Sequence, residues 1–128
     1  MKKVYRKKIV ITGSRGLLGS YFSKKYKRKF QIIKYPYRIE NLKEFQKWIM
    51  NKKFDYFIHF AAITRNSGVS KKKLFLVNTL SVTNILNSLN KHKKNDFKYF
   101  LLISSSHVYG NHNKSIKENQ KRSPLSDY

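Results

Sequence analysis

The chain is 128 residues long, 40% hydrophobic and 27% charged, which fits one globular domain able to bury a core. It has no cysteine, so disulfides, thiolate metal sites and a cysteine nucleophile are excluded. No apolar run approaches the ~18 residues of a membrane span, and "MKKVYRKKIVIT" is too poor in apolar residues for a signal peptide, so the expectation is a cytoplasmic protein with no membrane partner.

Along the chain, strand and helix patterns alternate. "KIVIT" (residues 8–12) is a β-branched strand ending at Gly13, and residues 16–27 carry Leu17, Leu18, Tyr21 and Phe22 at helical spacing. "FQIIKY" (30–35) is a second strand, stopped by Pro36. Asn41 caps a helix running to about residue 52, with Leu42, Phe45, Trp48 and Ile49 on one stripe. "FDYFIHFAA" (54–62) is apolar nearly throughout, as a strand covered on both faces should be. Residues 70–94 repeat Leu74, Val77, Ile85 and Leu89 at helical intervals, "KYFLLISS" (98–105) is a further apolar strand, and residues 107–128 read as loop. Such alternation predicts parallel strands joined by right-handed crossovers, an α/β doubly wound sheet.

The net charge of +23 invites a nucleic-acid reading. Yet 23 of the 29 basic residues are Lys, and they are strewn along nearly every segment. Together with abundant Asn, Ile, Tyr and Phe, this is the mark of an A/T-rich codon preference, which fills solvated faces with Lys. Loose, salt-sensitive adhesion is expected, and no specific nucleic-acid partner.

"VITGSRGLLGSYF" sets Gly13, Gly16 and Gly19 directly after a strand and at the opening of a helix. Glycine permits the tight turn, the approach of backbone to a diphosphate and close packing of helix on strand. The helix N-terminus then offers free N–H groups and partial positive charge. The spacing is G-x-x-G-x-x-G, which resembles the extended short-chain dehydrogenase/reductase family, the NAD-dependent epimerases, dehydratases and reductases of nucleotide sugars. The resemblance continues in order. "DYFIHFAA" is similar to that family's D-x-V-I-H-x-A-A strand, "LVNTLSVTNIL" to its V-N-x-x-G-T-x-N-L-L helix, "FLLISSSHVYG" to its S-S-x-x-V-Y-G segment, and "IKENQKRSPLSDY" to its E-x-x-x-x-x-P-x-S-x-Y segment.

The resemblance implies a Rossmann-like NAD(P)-binding domain over residues 1–128, incomplete at its C-terminal side and without a substrate domain. It implies cofactor contacts at Gly13, Arg15, Gly16, Leu17, Leu18, Gly19, Arg38, Ala61, Ala62 and Ser104, and catalytic roles for Ser105 and Tyr128. The family reaction is hydride transfer at a sugar carbon, with a nucleotide sugar as substrate and a homodimer as the usual assembly. Its catalytic lysine follows the tyrosine in the pattern Y-x-x-x-K, four positions beyond Tyr128, so negligible turnover is expected of these 128 residues alone. A phenol titrates near 10, and forming the phenolate at pH 7 costs about 4 kcal/mol without a neighbouring cation. The strand "KYFLLISS" is expected to present an apolar edge and to limit solubility.

Where NAD readers place an acid at the end of the second strand, this chain has Tyr35, Pro36 and Tyr37, with Arg38 next and Arg15 in the glycine loop. Two guanidiniums suit the additional phosphate of NADP, which is favoured over NAD. Asn78 is expected to have a structural hydrogen-bonding role and His59 to pack in the interior. His92, His107 and His112 lack metal-ligand spacing, so no metal is expected. Two other readings stand beside this one: a short dinucleotide-binding protein without catalysis, and a basic nucleic-acid binder on a similar scaffold.

Overall fold

Four short segments rich in β-branched and aromatic residues pair side by side to make the centre of the molecule. The structure, a computed structural model, describes residues 5–64, 68–92 and 97–126. Strands β1 (Lys8–Thr12), β2 (Gln31–Lys34), β3 (Tyr56–His59) and β4 (Tyr99–Leu102) form one parallel sheet in the order β2-β1-β3-β4. In register, Ile9 to Ile11 face Ile32 to Lys34 on one side and Tyr56 to Ile58 on the other. The chain goes from β1 outward to β2, then crosses to β3 on the opposite flank. That reversal leaves a crevice at the C-terminal ends of β1 and β3.

Side-chain alternation divides the core between two faces. Ile9, Ile11 and Ile58 meet Phe22 of α1 (Leu17–Tyr26) on one face. Val10 and Phe57 meet Phe45 and Ile49 of α2 (Leu42–Met50), together with Ile85 and Leu89 of α4 (Ser81–Lys91), on the other. Asn41 caps α2 as expected, its side-chain oxygen accepting the Glu44 N–H (3.3 Å). Gln46 and Asn84 tie α2 to α4: Gln46 Nε2 donates to Asn84 Oδ1 (2.8 Å), and Asn84 Nδ2 donates to Leu42 O (3.3 Å).

Three differences from the expected elements matter for the site. The helix predicted over 70–94 is α3 (Lys71–Phe75), a π turn (Leu76–Leu80) and α4, and it ends at Lys91. Strand β3 stops at His59, because Phe60 to Ala62 leave the sheet and lie against the glycine loop. After β4, residues predicted as loop from 107 onward begin with a 3₁₀ turn (Ser106–Tyr109). Among the described residues strand β4 pairs with β3 alone, and Tyr99, Leu101 and Leu102 are exposed, the apolar edge expected.

Phe57 is fully buried between Phe45, Phe54 and Phe100, with ring centroids 5.5 to 6.1 Å away. Phe57→Ala should lower the unfolding free energy by about 3–5 kcal/mol, whereas Met50→Ala on the exposed side of α2 should change it by less than about 0.5 kcal/mol. Urea denaturation followed by the fluorescence of Trp48, the single tryptophan, reads both.

Candidate functional site

The loop after β1 is shaped by backbone contacts that tolerate no side chain. Gly13 has φ +67°, and a Cβ there would lie 2.6 Å from the Ala61 N atom. A Cβ on Gly19 would overlap the Gly13 carbonyl oxygen, so α1 can approach β1 only with glycine at that point. Gly16 differs from both. It is exposed, and the nearest atom to a Cβ there is Gly13 O at 3.4 Å. Protein packing therefore accounts for Gly13 and Gly19 but leaves space above Gly16.

Gly16 is also the N-cap of α1. No side chain caps this end, and no acid stands in the first turn. The first N–H groups of a helix have no intrahelical acceptor, so those of Leu17 and Leu18 face outward beside Gly16 with the positive end of the helix dipole behind them. Such an end suits a diphosphate.

Two cavities meet at this point. One, of about 470 Å³, lies toward β2 and is lined by Arg15, Tyr35, Tyr37, Arg38 and Glu40 among others. The other, of about 360 Å³, lies toward β4 and includes Leu17, Leu18, Gly19, His59, Ser104 and Ser105 in its wall. Gly13, Gly16, Phe60, Ala61 and Ala62 line both. The structure thus brings every predicted cofactor-contact residue to one crevice, and Ser105 with them. Tyr128 lies outside the described residues.

The crevice floor is held by polar contacts that reach between strands. Thr12 Oγ1 lies 2.7 Å from His59 Nδ1 and accepts the Ala61 N–H at 3.4 Å. Asn78, in the π turn, grips both backbone groups of Ile63: its amide donates to Ile63 O (2.9 Å) and its oxygen accepts Ile63 N–H (2.9 Å). This is the structural role expected of Asn78, and π turns of this kind recur at functional sites. Ser105 Oγ accepts the His107 N–H (3.2 Å) at the start of the 3₁₀ turn, which leaves its own proton free to donate. On the other cavity, Arg15 donates to Pro36 O (3.5 Å), and Glu40 pairs with Lys73 (3.8 Å). Thr12, Phe60 and Val108 lie within the motifs, but sequence reasoning assigned none of them a role at the site.

Residues 9–128 match the NAD dependent epimerase/dehydratase family. Among curated proteins none matches the chain in sequence. Solved structures share its fold. The ADP-L-glycero-D-manno-heptose-6-epimerase of Helicobacter pylori aligns with a TM-score of 0.81 at 19% identity, covering 96% of this chain and 47% of that one. The dTDP-4-dehydrorhamnose reductase of Bacillus anthracis, solved with NADP, gives 0.83 at 18%, covering 99% and 46%. WbmG of Bordetella bronchiseptica, solved with NAD, gives 0.83 at 15%, covering 99% and 47%. The chain therefore spans about half the length of these proteins.

Burial lowers His59 to about 4, from 6.5. The unfolded chain binds the proton first, so stability from this residue is full above pH 6.5 and is lost as pH falls toward 4. The loss should reach about 2 kcal/mol at pH 5. Chemical denaturation at pH 7.5 and 5 should show it, and His59→Gln should flatten the difference; equal stability of the native chain at both pH values would contradict it. On the match over residues 9–128 the chain belongs to the NAD dependent epimerase/dehydratase family.

Proposed function

We propose that this chain is the N-terminal, coenzyme-binding part of an NAD(P)-dependent epimerase, dehydratase or reductase acting on a nucleotide sugar. The observation that carries the reading is the junction of the two cavities at Gly16, in front of the uncapped N-terminus of α1. The fit to a dinucleotide is good. Gly13, Gly16, Leu17 and Leu18 would hold the diphosphate, Arg15 and Arg38 the adenosine side, and Ala61, Ala62 and Ser104 the nicotinamide side.

When bound, the nicotinamide ring supplies hydride chemistry at a sugar carbon. The chain's own residues do the rest. The Ser105 hydroxyl, its lone pair engaged by the His107 N–H, donates a hydrogen bond to the reacting oxygen of the sugar. Tyr128 is assigned the proton transfer by its family motif. Leu17, Leu18, Leu102 and Val108 give the crevice wall its apolar surface.

NADP is the favoured coenzyme. Arg15 and Arg38 share one cavity wall, and the only acid among the residues that line it, Glu40, is paired with Lys73. Two guanidiniums can hold a 2′-phosphate through parallel charge-assisted hydrogen bonds.

Titration by coenzyme fluorescence should show NADPH binding more tightly than NADH. Gly16→Ala should weaken either coenzyme by about tenfold or more, since a methyl group would occupy the space where backbone approaches the diphosphate. Its melting temperature should be unchanged. Gly19→Ala, by contrast, should lower the melting temperature by several degrees, on the order of 1–3 kcal/mol of overpacking. Failure of the folded chain to bind either coenzyme at millimolar concentration would overturn the proposal, and a clear NADH preference would overturn the NADP assignment.

A further inference from the structure

Lysine is spread evenly along the sequence, but folding gathers four cations from three segments onto one concave surface. Between the outer side of α1 and β2, an edge strand among the described residues, runs a groove of about 400 Å³. Lys24 and Lys27 reach it from the end of α1, Arg6 from the segment before β1 and Lys34 from the end of β2. All four are exposed. Arg6 is tied in place, its Nη1 donating to Lys27 O (3.1 Å). None of the chain's six acids stands among the residues that line the groove. Nor does any of the four cations pair with a carboxylate among the described residues.

Cations that converge in a concavity repel one another, and low-dielectric walls focus their field. The negative end of the α1 dipole offsets part of this for Lys24 and Lys27. Arg6 and Lys34 belong to other elements and gain nothing from it. A ligand with several negative charges in a row would relieve the repulsion along the whole groove. Phe30 and Ile32 lend the same wall apolar surface that sugar rings and bases can cover.

We infer that the groove between α1 and β2 binds single-stranded nucleic acid through its phosphate backbone. A concavity of this size admits one strand. Contacts to phosphate position a strand without reading its bases, so the binding is blind to sequence. The inference does not rest on the coenzyme reading, because its four cations lie outside both cavities of the crevice. Ser14 alone of the groove wall also lines the Arg15–Arg38 cavity, so a bound strand would end beside it.

The test titrates a fluorescent oligothymidylate into the native chain and two triple variants over a range of salt. Lys24→Gln/Lys27→Gln/Lys34→Gln removes charge from the groove. Lys43→Gln/Lys47→Gln/Lys91→Gln removes as much from α2 and α4, on the opposite face of the sheet. All six positions are exposed, so both variants should melt at the native temperature. Each phosphate contact contributes about −0.7 to the slope of log K against log salt, so the groove variant should bind tenfold or more weaker at about 0.1 M salt, with a slope shallower by about 2. The control variant should lose less than about threefold, as expected of diffuse attraction alone. Equal losses in the two variants would overturn the inference, by showing that adhesion is spread over the surface. So would a native chain that fails to bind the oligonucleotide, or that binds linear polyphosphate or polyglutamate of matched charge as tightly. Should the groove variant unfold, acylation of lysines in the native chain decides. Bound oligothymidylate should protect Lys24, Lys27 and Lys34 and leave Lys43, Lys47 and Lys91 reactive; uniform protection would overturn the inference.

Discussion

The chain leaving β3 can cover the C-terminal end of β1 only because nothing projects from Gly13. With φ at +67° and a would-be Cβ 2.6 Å from Ala61 N, this residue presses the first loop against the third. Thr12 and His59 hold the same junction from beneath, and Asn78 holds the outgoing chain at Ile63. From that contact follows the position of α1, whose own Gly19 must pass the Gly13 carbonyl. From the position of α1 follows the direction of its free N–H groups. The crevice is thus a product of backbone proximity rather than of side chains reaching into it.

Charge and apolar surface are distributed around that junction unequally. Toward β2 the wall carries two guanidiniums and two tyrosines; toward β4 it carries hydroxyls and leucines. A molecule with one anionic, ribose-bearing end and one flat, less polar end fits such a gradient in a single orientation. The positive side is local, whereas the excess of lysine over the rest of the chain is spread along every segment.

The glycine loop was legible in the sequence because its demands are local: three glycines at fixed spacing, a strand before and a helix after. The two-faced core was equally legible, since Ile9, Val10 and Ile11 can only alternate. Other features depend on packing that no short window contains. The apolar run through Ala62 reads as strand to its end, but Phe60 to Ala62 are apolar because they lie on the glycine loop. Periodicity through Leu74 and Val77 gives no hint of a π turn, whose additional residue turns Asn78 toward Ile63. Tyr35 showed itself only as the lack of an acid. That its hydroxyl is buried and unpartnered is decided by Phe45 and Trp48, which arrive from a different helix.

The central claim is that backbone amides at the start of α1 receive a diphosphate. Amide NMR of the isotope-labelled chain, with NADPH added stepwise, observes those groups directly. The account predicts that the Gly16, Leu17 and Leu18 amide protons move the most and move downfield, with Ala61 and Ala62 following. Shifts confined to lysine-rich surface segments, with the amides of residues 13–19 unmoved at saturation, would contradict it.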